Sequence, residues 1–234
     1  MRDAAETPPV FSYQDLPRLM SMMAGDEKHD DSATSTLDVL WVLYDRILRV
    51  FPDRPDDPDR DRFLLSKGHG PTAFYAVLAA KQFISVEELS SYGQAGSSLG
   101  FHPDRSLISG VEVSSGSLGH GLPLATGIAL ALRAQQRTRP RVFCLIGDGE
   151  LDEGSNHEAI AFAGSVNLGG LHVVVIDNDS STHGWSGGIA TRFDRESWST
   201  AVVDGRDHAD LERALTAPHP DRPHAVVAMM KPKE

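Results

Sequence analysis

Arg141-Val142-Phe143-Cys144-Leu145-Ile146-Gly147-Asp148-Gly149, followed one helical span later by Leu171-His172-Val173-Val174-Val175-Ile176-Asp177-Asn178, decides the fold. Both apolar runs are short and rich in branched residues, so they read as buried strands. Glu153 to Asn167 between them reads as a helix, which makes the unit β-α-β with parallel strands and a right-handed crossover. Ligands of such units collect outside the carboxyl ends of the strands. That placement brings Asp148 and Asn178 out side by side, both offering oxygen to a hard cation. Oxygen ligation suits magnesium or calcium, and magnesium commonly completes its shell with phosphate oxygens and water. Gly147 and Gly149 leave room for a diphosphate to approach the backbone without a Cβ in the way.

Working outward, Gln14 to Met23 reads as a helix, and Thr36 to Phe51 shows helical apolar spacing (Leu37, Leu40, Trp41, Tyr44, Ile47, Leu48). Pro71 stands at the head of a helix over Thr72 to Lys81. Gly121 to Gln136 is a helix of small residues, Leu211 to Ala217 ends another, and Ala225 to Met230 is a last strand. Strands alternating with helices predict an α/β fold, a mostly parallel sheet with helices on both faces. Residues 1 to 12, with Pro8-Pro9, read as a mobile arm, and residues 13 to 234 as one domain, about what this length holds. Pro52 to Asp61 alternates Asp, Arg and Pro and reads as a solvated loop.

The net charge of −11 argues against a nucleic-acid partner, which would require a basic stripe. No apolar run reaches the length of a membrane span, and the N-terminus lacks a basic-then-apolar signal pattern, so a cytoplasmic location is expected. Cys144 is the single cysteine, so no intrachain disulfide forms; inside a strand it reads as a small buried apolar side chain. The histidines have no zinc-like spacing.

Four segments together carry a family resemblance. Gly147 to Ala159 with Asn178 resembles the thiamine-diphosphate motif. Asp61-Arg62-Phe63-Leu64-Leu65-Ser66-Lys67-Gly68-His69-Gly70, Gly100-Phe101-His102-Pro103 and Gly110 to Gly121 are similar, in order, to words of the transketolases. The resemblance runs from about residue 15 to 230. It implies the thiamine-diphosphate-binding fold, in its diphosphate-binding domain. It further implies transfer of a two-carbon ketol unit from a ketose phosphate donor to an aldehyde acceptor, with thiamine diphosphate and magnesium as cofactors. Asp148, Asn178 and the Ser180 carbonyl would hold the metal. Gly116, Leu118 and Gly149 would approach the cofactor, and His69 and His102 would orient substrate and move protons, His69 also facing the diphosphate. Glu153 matches an interface acid that couples paired sites.

A full-length transketolase also has a pyrimidine-binding domain, which supplies the activating glutamate, and a third domain. The resemblance therefore implies the N-terminal subunit of a split enzyme. Its expected partner is a C-terminal subunit carrying the pyrimidine-binding domain, in an α2β2 assembly. A pyruvate dehydrogenase α-like or deoxyxylulose-phosphate synthase-like subunit, and a non-catalytic scaffold subunit, are the alternatives. Several positions depart from the family pattern. His29 aligns with a Gly-His-Pro-Gly histidine but sits in Lys28-His29-Asp30-Asp31, where carboxylates would favour the imidazolium form. Ser180 and Thr182 stand where apolar residues are usual, which predicts a more polar wall and leaves room for a specialised acceptor. His120 replaces a frequent glutamine and reads as a side chain supporting the backbone. The Lys-Thr-x-Lys-Gly-x-Gly tail is absent from the sequence.

Overall fold

The computed structural model of the protein describes residues 11–23, 30–68, 70–182 and 184–230. Five strands form one sheet: β1 (Arg62–Leu65), β2 (Val142–Gly147), β3 (Leu171–Asp177), β4 (Ser199–Asp204) and β5 (His224–Met229). Their spatial order is β1-β2-β3-β5-β4 and every pairing is parallel. The helices are α1 (Leu16–Ser21), α2 (Asp30–Val42), α3 (Pro71–Ala80), α4 (Gly121–Ala134), α5 (Gly154–Ser165), α6 (Ile189–Arg195) and α7 (His208–Leu215).

The strand side chains split by parity between two cores. Phe63, Leu65, Phe143, Leu145, Val174, Ile176, Val226 and Ala228 face the core that includes residues of α1, α2, α3 and α7. Leu64, Val142, Cys144, Ile146, Val173, Val175, Ala225 and Val227 face the core that includes residues of α4, α5 and α6. This is the period-2 consequence of a sheet buried on both faces, and it explains why β2 and β3 read as unbroken apolar runs. Cys144 is buried as expected, and burial pushes its thiol up, away from reactivity.

Element positions depart from the sequence reading in instructive ways. The helix expected from Thr36 begins earlier, at Asp30, and closes in a π turn over Leu43–Ile47. Three elements carry no strong sequence signature: β1, the short α6 and β4. The last is an edge strand whose pattern is half-exposed throughout, with Val202 in the open. Of the expected N-terminal arm, residues 1–10 lie outside the described residues, while Phe11 packs against the core.

Asp61, fully buried just before β1, fixes the start of the sheet. Its carboxylate accepts from the backbone amides of Arg49 (3.0 Å) and Arg141 (2.8 Å) and from both guanidinium groups (2.9 and 2.7 Å). Burial alone would raise this carboxyl, but the bonds from Arg141 and Arg49 hold it below the ordinary range. A depressed folded-state value contributes stability that is present above the unfolded value and is lost as pH falls through the folded one. Asp61→Asn is expected to lower stability by about 2–3 kcal/mol at neutral pH, read by urea denaturation, because two partly exposed arginines lose a charge-assisted partner. The gap between variant and wild type should close on acidification below about pH 4, where the unfolded carboxyl protonates.

Candidate functional site

Three segments meet at the carboxyl ends of β1, β2 and β3: Ser66-Lys67-Gly68 after β1, the loop 110–121 before α4, and Gly147-Asp148-Gly149-Glu150 after β2. The buried Glu150 carboxylate joins them. Its Oε1 accepts from the Gly119 amide (2.9 Å) and from the Ser66 hydroxyl, and its Oε2 from the Gly147 amide (3.3 Å). Ser66 Oγ in turn accepts from the Gly121 amide at 3.0 Å. The Asn156 side chain on α5 donates to the Glu150 carbonyl at 2.6 Å. Burial raises the Glu150 carboxyl, and its three donors oppose that shift.

Lys67 lies against Gly147 and donates from Nζ to Ser35 Oγ at 3.0 Å. Burial draws its ammonium down to about 8, against the pull of Asp148 and Glu150. Neither Glu150 nor Lys67 stands out by pattern. Both lie within family words, but nothing in their spacing announces that Glu150 is buried and Lys67 half-buried.

The loop 110–121 comes close to its neighbours through glycines. Gly116 has φ +122°, a conformation that side chains rarely adopt, and a Cβ there would sit 2.9 Å from Cγ of His102. The His102 ring therefore lies directly on Gly116. A Cβ on Gly68 would stand 3.2 Å from the Gly116 carbonyl and 3.4 Å from Leu118 Cδ2. His102, Gly116 and Leu118 thus gather with the segment that leads to His69. His69 itself, and His29, lie outside the described residues. Glu153 is exposed at the head of α5 and packs against Gly119. His120 is exposed and does not cap α4 with its side chain, contrary to the supporting role expected of it.

Asp148 is buried and Asn178 follows β3 on the neighbouring strand; the Asp148 amide donates to the Ile176 carbonyl at 2.9 Å. Asp148 Oδ1 accepts from the Gly149 amide (2.9 Å) and the Ser180 hydroxyl (2.5 Å), and Oδ2 from the amides of Ser180 (2.7 Å) and Ser181 (3.1 Å). The Ser180 carbonyl faces Gly149, 3.4 Å from where a Cβ would be. Asn178 Oδ1 is buried and has no hydrogen-bond partner. Buried amide oxygens rarely go unpaired, so this atom suits a cation as its partner. Asp148, Asn178 Oδ1 and the Ser180 carbonyl are oxygen donors of the kind hard cations take. Among the described residues no cluster of three His, Cys, Asp or Glu could hold a metal. Thr182 donates to Asp152 at 3.0 Å. The two hydroxyls expected to make the wall polar are thus bonded to carboxylates.

The sequence profile described as "Transketolase, thiamine diphosphate binding domain" matches residues 18–231. This chain belongs to the transketolase family. One relative, a subunit of the apulose-4-phosphate transketolase of Phocaeicola vulgatus, is 35% identical over 193 residues, 80% of this chain and 68% of that protein. A Rhodococcoides fascians protein named Ferredoxin fas2 is 60% identical over 223 residues, 95% of this chain and 73% of that protein. With Cys144 as its one cysteine, this chain lacks the thiolate set that ferredoxin iron–sulfur clusters require. The transketolase of Leishmania mexicana superposes with a TM-score of 0.78 at 25% identity, covering 94% of this chain and 37% of that one. The chain thus corresponds to the diphosphate-binding domain of its family and spans little more than a third of that transketolase. Among the described residues no helix is long and apolar enough to cross a membrane.

Because Glu150 bonds the segment after β1, the end of β2 and the loop 110–121 together, Glu150→Ala should leave three donors unpaired. We expect a loss of about 2–4 kcal/mol in thermal or urea denaturation. Hydrogen exchange at the Gly119 amide should accelerate more than exchange within β3; uniform acceleration would contradict this role.

Proposed function

We propose that this chain is the diphosphate-binding subunit of a two-chain, thiamine-diphosphate-dependent transketolase. The observation that carries the reading is the buried, unpartnered Asn178 Oδ1 at the end of β3, the strand next to the one that leads into Asp148, within a chain of this family. Magnesium would be held by Asp148, Asn178 Oδ1 and the Ser180 carbonyl. Gly116, Leu118 and Gly149 would line the cofactor's approach, with Gly149 facing the Ser180 carbonyl. Bound thiamine diphosphate would supply the carbon nucleophile for two-carbon ketol transfer, and protein groups the orientation and electrostatics.

The chain's own residues would then do three things. Lys67, half-buried beside Gly147, would place positive charge next to the diphosphate. His102, exposed and seated on Gly116, would meet donor hydroxyls, and His69 would act on the diphosphate and substrate oxygens. Glu153, exposed at the head of α5, would meet its counterpart across a subunit contact. A partner carrying the pyrimidine-binding domain, in an α2β2 assembly, is supported by the Phocaeicola relative, whose name makes it one subunit of its enzyme. It is also supported by the exposed apolar side chains Phe101, Leu107, Leu118 and Leu124, on or beside the site's loops. With the hydroxyls of Ser180 and Thr182 held by Asp148 and Asp152, the acceptor is left open, a specialised one included. A cytoplasmic enzyme without nucleic-acid or membrane partners fits the acidic composition.

Calorimetry of thiamine diphosphate with magnesium, on the chain mixed with its pyrimidine-domain partner, tests the site. Asp148→Ala should abolish binding and Asn178→Ala should weaken it less; equal binding by wild type and Asp148→Ala would refute the assignment. Turnover by the chain alone would refute the need for a partner.

Ser180 gives a further expectation. The Asp148 carboxylate already accepts four bonds, about its full lone-pair capacity. A cation must therefore displace one donor, and the Ser180 hydroxyl is the only one not fixed in the backbone. Ser180→Ala keeps the carbonyl and removes that competitor, so the magnesium concentration at half-saturation should fall about 3- to 10-fold, for a hydrogen bond worth roughly 1 kcal/mol. An unchanged or higher midpoint would contradict it.

A further inference from the structure

At the opposite end of the sheet, roughly 17 Å along β2 from Gly147 at the usual rise per residue, a cavity of about 640 Å³ opens between α4, the 167–170 turn and the 215–221 loop. It is separate from the site described above, and its volume is in the range of small-molecule sites. Its walls include Leu132, Leu168 and Leu215.

Its polar side chains are unusual for the foot of a parallel sheet. His172 on β3 and His224 on β5 are register partners, and both are buried. Each has an Nδ1 with no hydrogen-bond partner, where an apolar side chain would have cost nothing. His172 lines the cavity, stacked on Phe143 (4.4 Å between centroids) and meeting the edge of His219 at 4.7 Å; His219 in turn stacks on His224 at 4.8 Å. Burial, with Arg141, His219 and His224 nearby, holds His172 neutral.

Arg133, Arg137 and Arg141 line the same cavity, in a protein whose net charge is −11. Each is oriented by a carbonyl: Arg133 by Val166 (2.7 Å), Arg137 by Pro58 (2.7 Å) and Arg141 by Ile47 (2.6 Å). Asp61 matches the charge of Arg141, and Asp59 stands 4.0 Å from Arg137. Asp221 is the one carboxylate on the wall. The Arg133 guanidinium has no carboxylate partner among the ion pairs of the described residues.

We propose that this cavity is a second binding site, for a small organic oxyanion: an aromatic or apolar body against the leucine and imidazole walls, and a phosphate or carboxylate head on Arg133 and Arg137. Guanidinium forks suit either head. Distance from the sheet's carboxyl ends makes it a regulatory site and not a second reaction centre. The inference does not depend on the function proposed above.

Calorimetry and histidine-ring NMR on the full chain test it, with phenyl phosphate, benzoate and phenol as probes. One or both anions should bind saturably and move the ring signals of His172 and His219, while phenol should not bind. The surface pair Arg133→Ala/Arg137→Ala should weaken anion binding at least about tenfold, the loss of a charge-assisted contact. Asp148→Ala, at the other end of the sheet, should leave it unchanged. Four results would each overturn the proposal: no saturable anion binding, phenol binding as well as the anions, unchanged affinity in the double arginine variant, or loss of binding in Asp148→Ala.

Discussion

One buried carboxylate holds the working end of this molecule together. Glu150 lies under the ends of β1 and β2 and takes hydrogen bonds from three segments far apart in sequence: Ser66, Gly119 and its own neighbour Gly147. Loops at the end of a parallel sheet have no ladder of their own, so their amides need partners from elsewhere. Glu150 provides them at a cost, since burial disfavours its charged form. The hydroxyl of Ser66 passes the same constraint on to α4 through the Gly121 amide.

From that anchor the geometry of the candidate site follows. With Gly119 fixed to Glu150, Gly116 is carried over Gly68 and under His102, and close contact excludes a side chain at position 116. Asp148, two residues before Glu150, turns its carboxylate towards the 180–181 backbone of the next strand's loop. Two acidic groups and Lys67 then share a small, poorly solvated region. Lys67 is drawn down towards neutrality by burial, and the carboxylates limit that shift. Exposed Asp179 adopts φ +60° to turn this loop, a conformation Asp tolerates better than most residues.

The two ends of the sheet are built differently. At the carboxyl end backbone amides and glycines dominate, leaving room for a ligand's approach. At the amino end, bulky imidazoles and guanidiniums line a cavity with leucine walls, and the paired His172 and His224 stand level with Phe143 of β2 and Ser199 of β4.

The sequence by itself determined the layer architecture, because burial on both faces makes β2 and β3 continuous branched runs whose meaning does not depend on distant residues. It also determined the chemistry-bearing words at the strand ends: Asp148, Asn178 and the glycines around them are local motifs. Edge strand β4 and the short α6 were not legible, since a half-exposed strand has no unbroken apolar run and a two-turn helix has too few residues for a periodicity. Nor could the sequence tell that Ser180 and Thr182 spend their hydroxyls on Asp148 and Asp152, or that His102 rests on Gly116. Those contacts join residues 14 to 32 positions apart, and only the crossing of separate strands and loops brings them within reach. The burial of Glu150 and the partial burial of Lys67 belong to the same class. Composition marks both as surface residues, and only tertiary packing, by surrounding them with donors and opposite charge, makes their burial tenable.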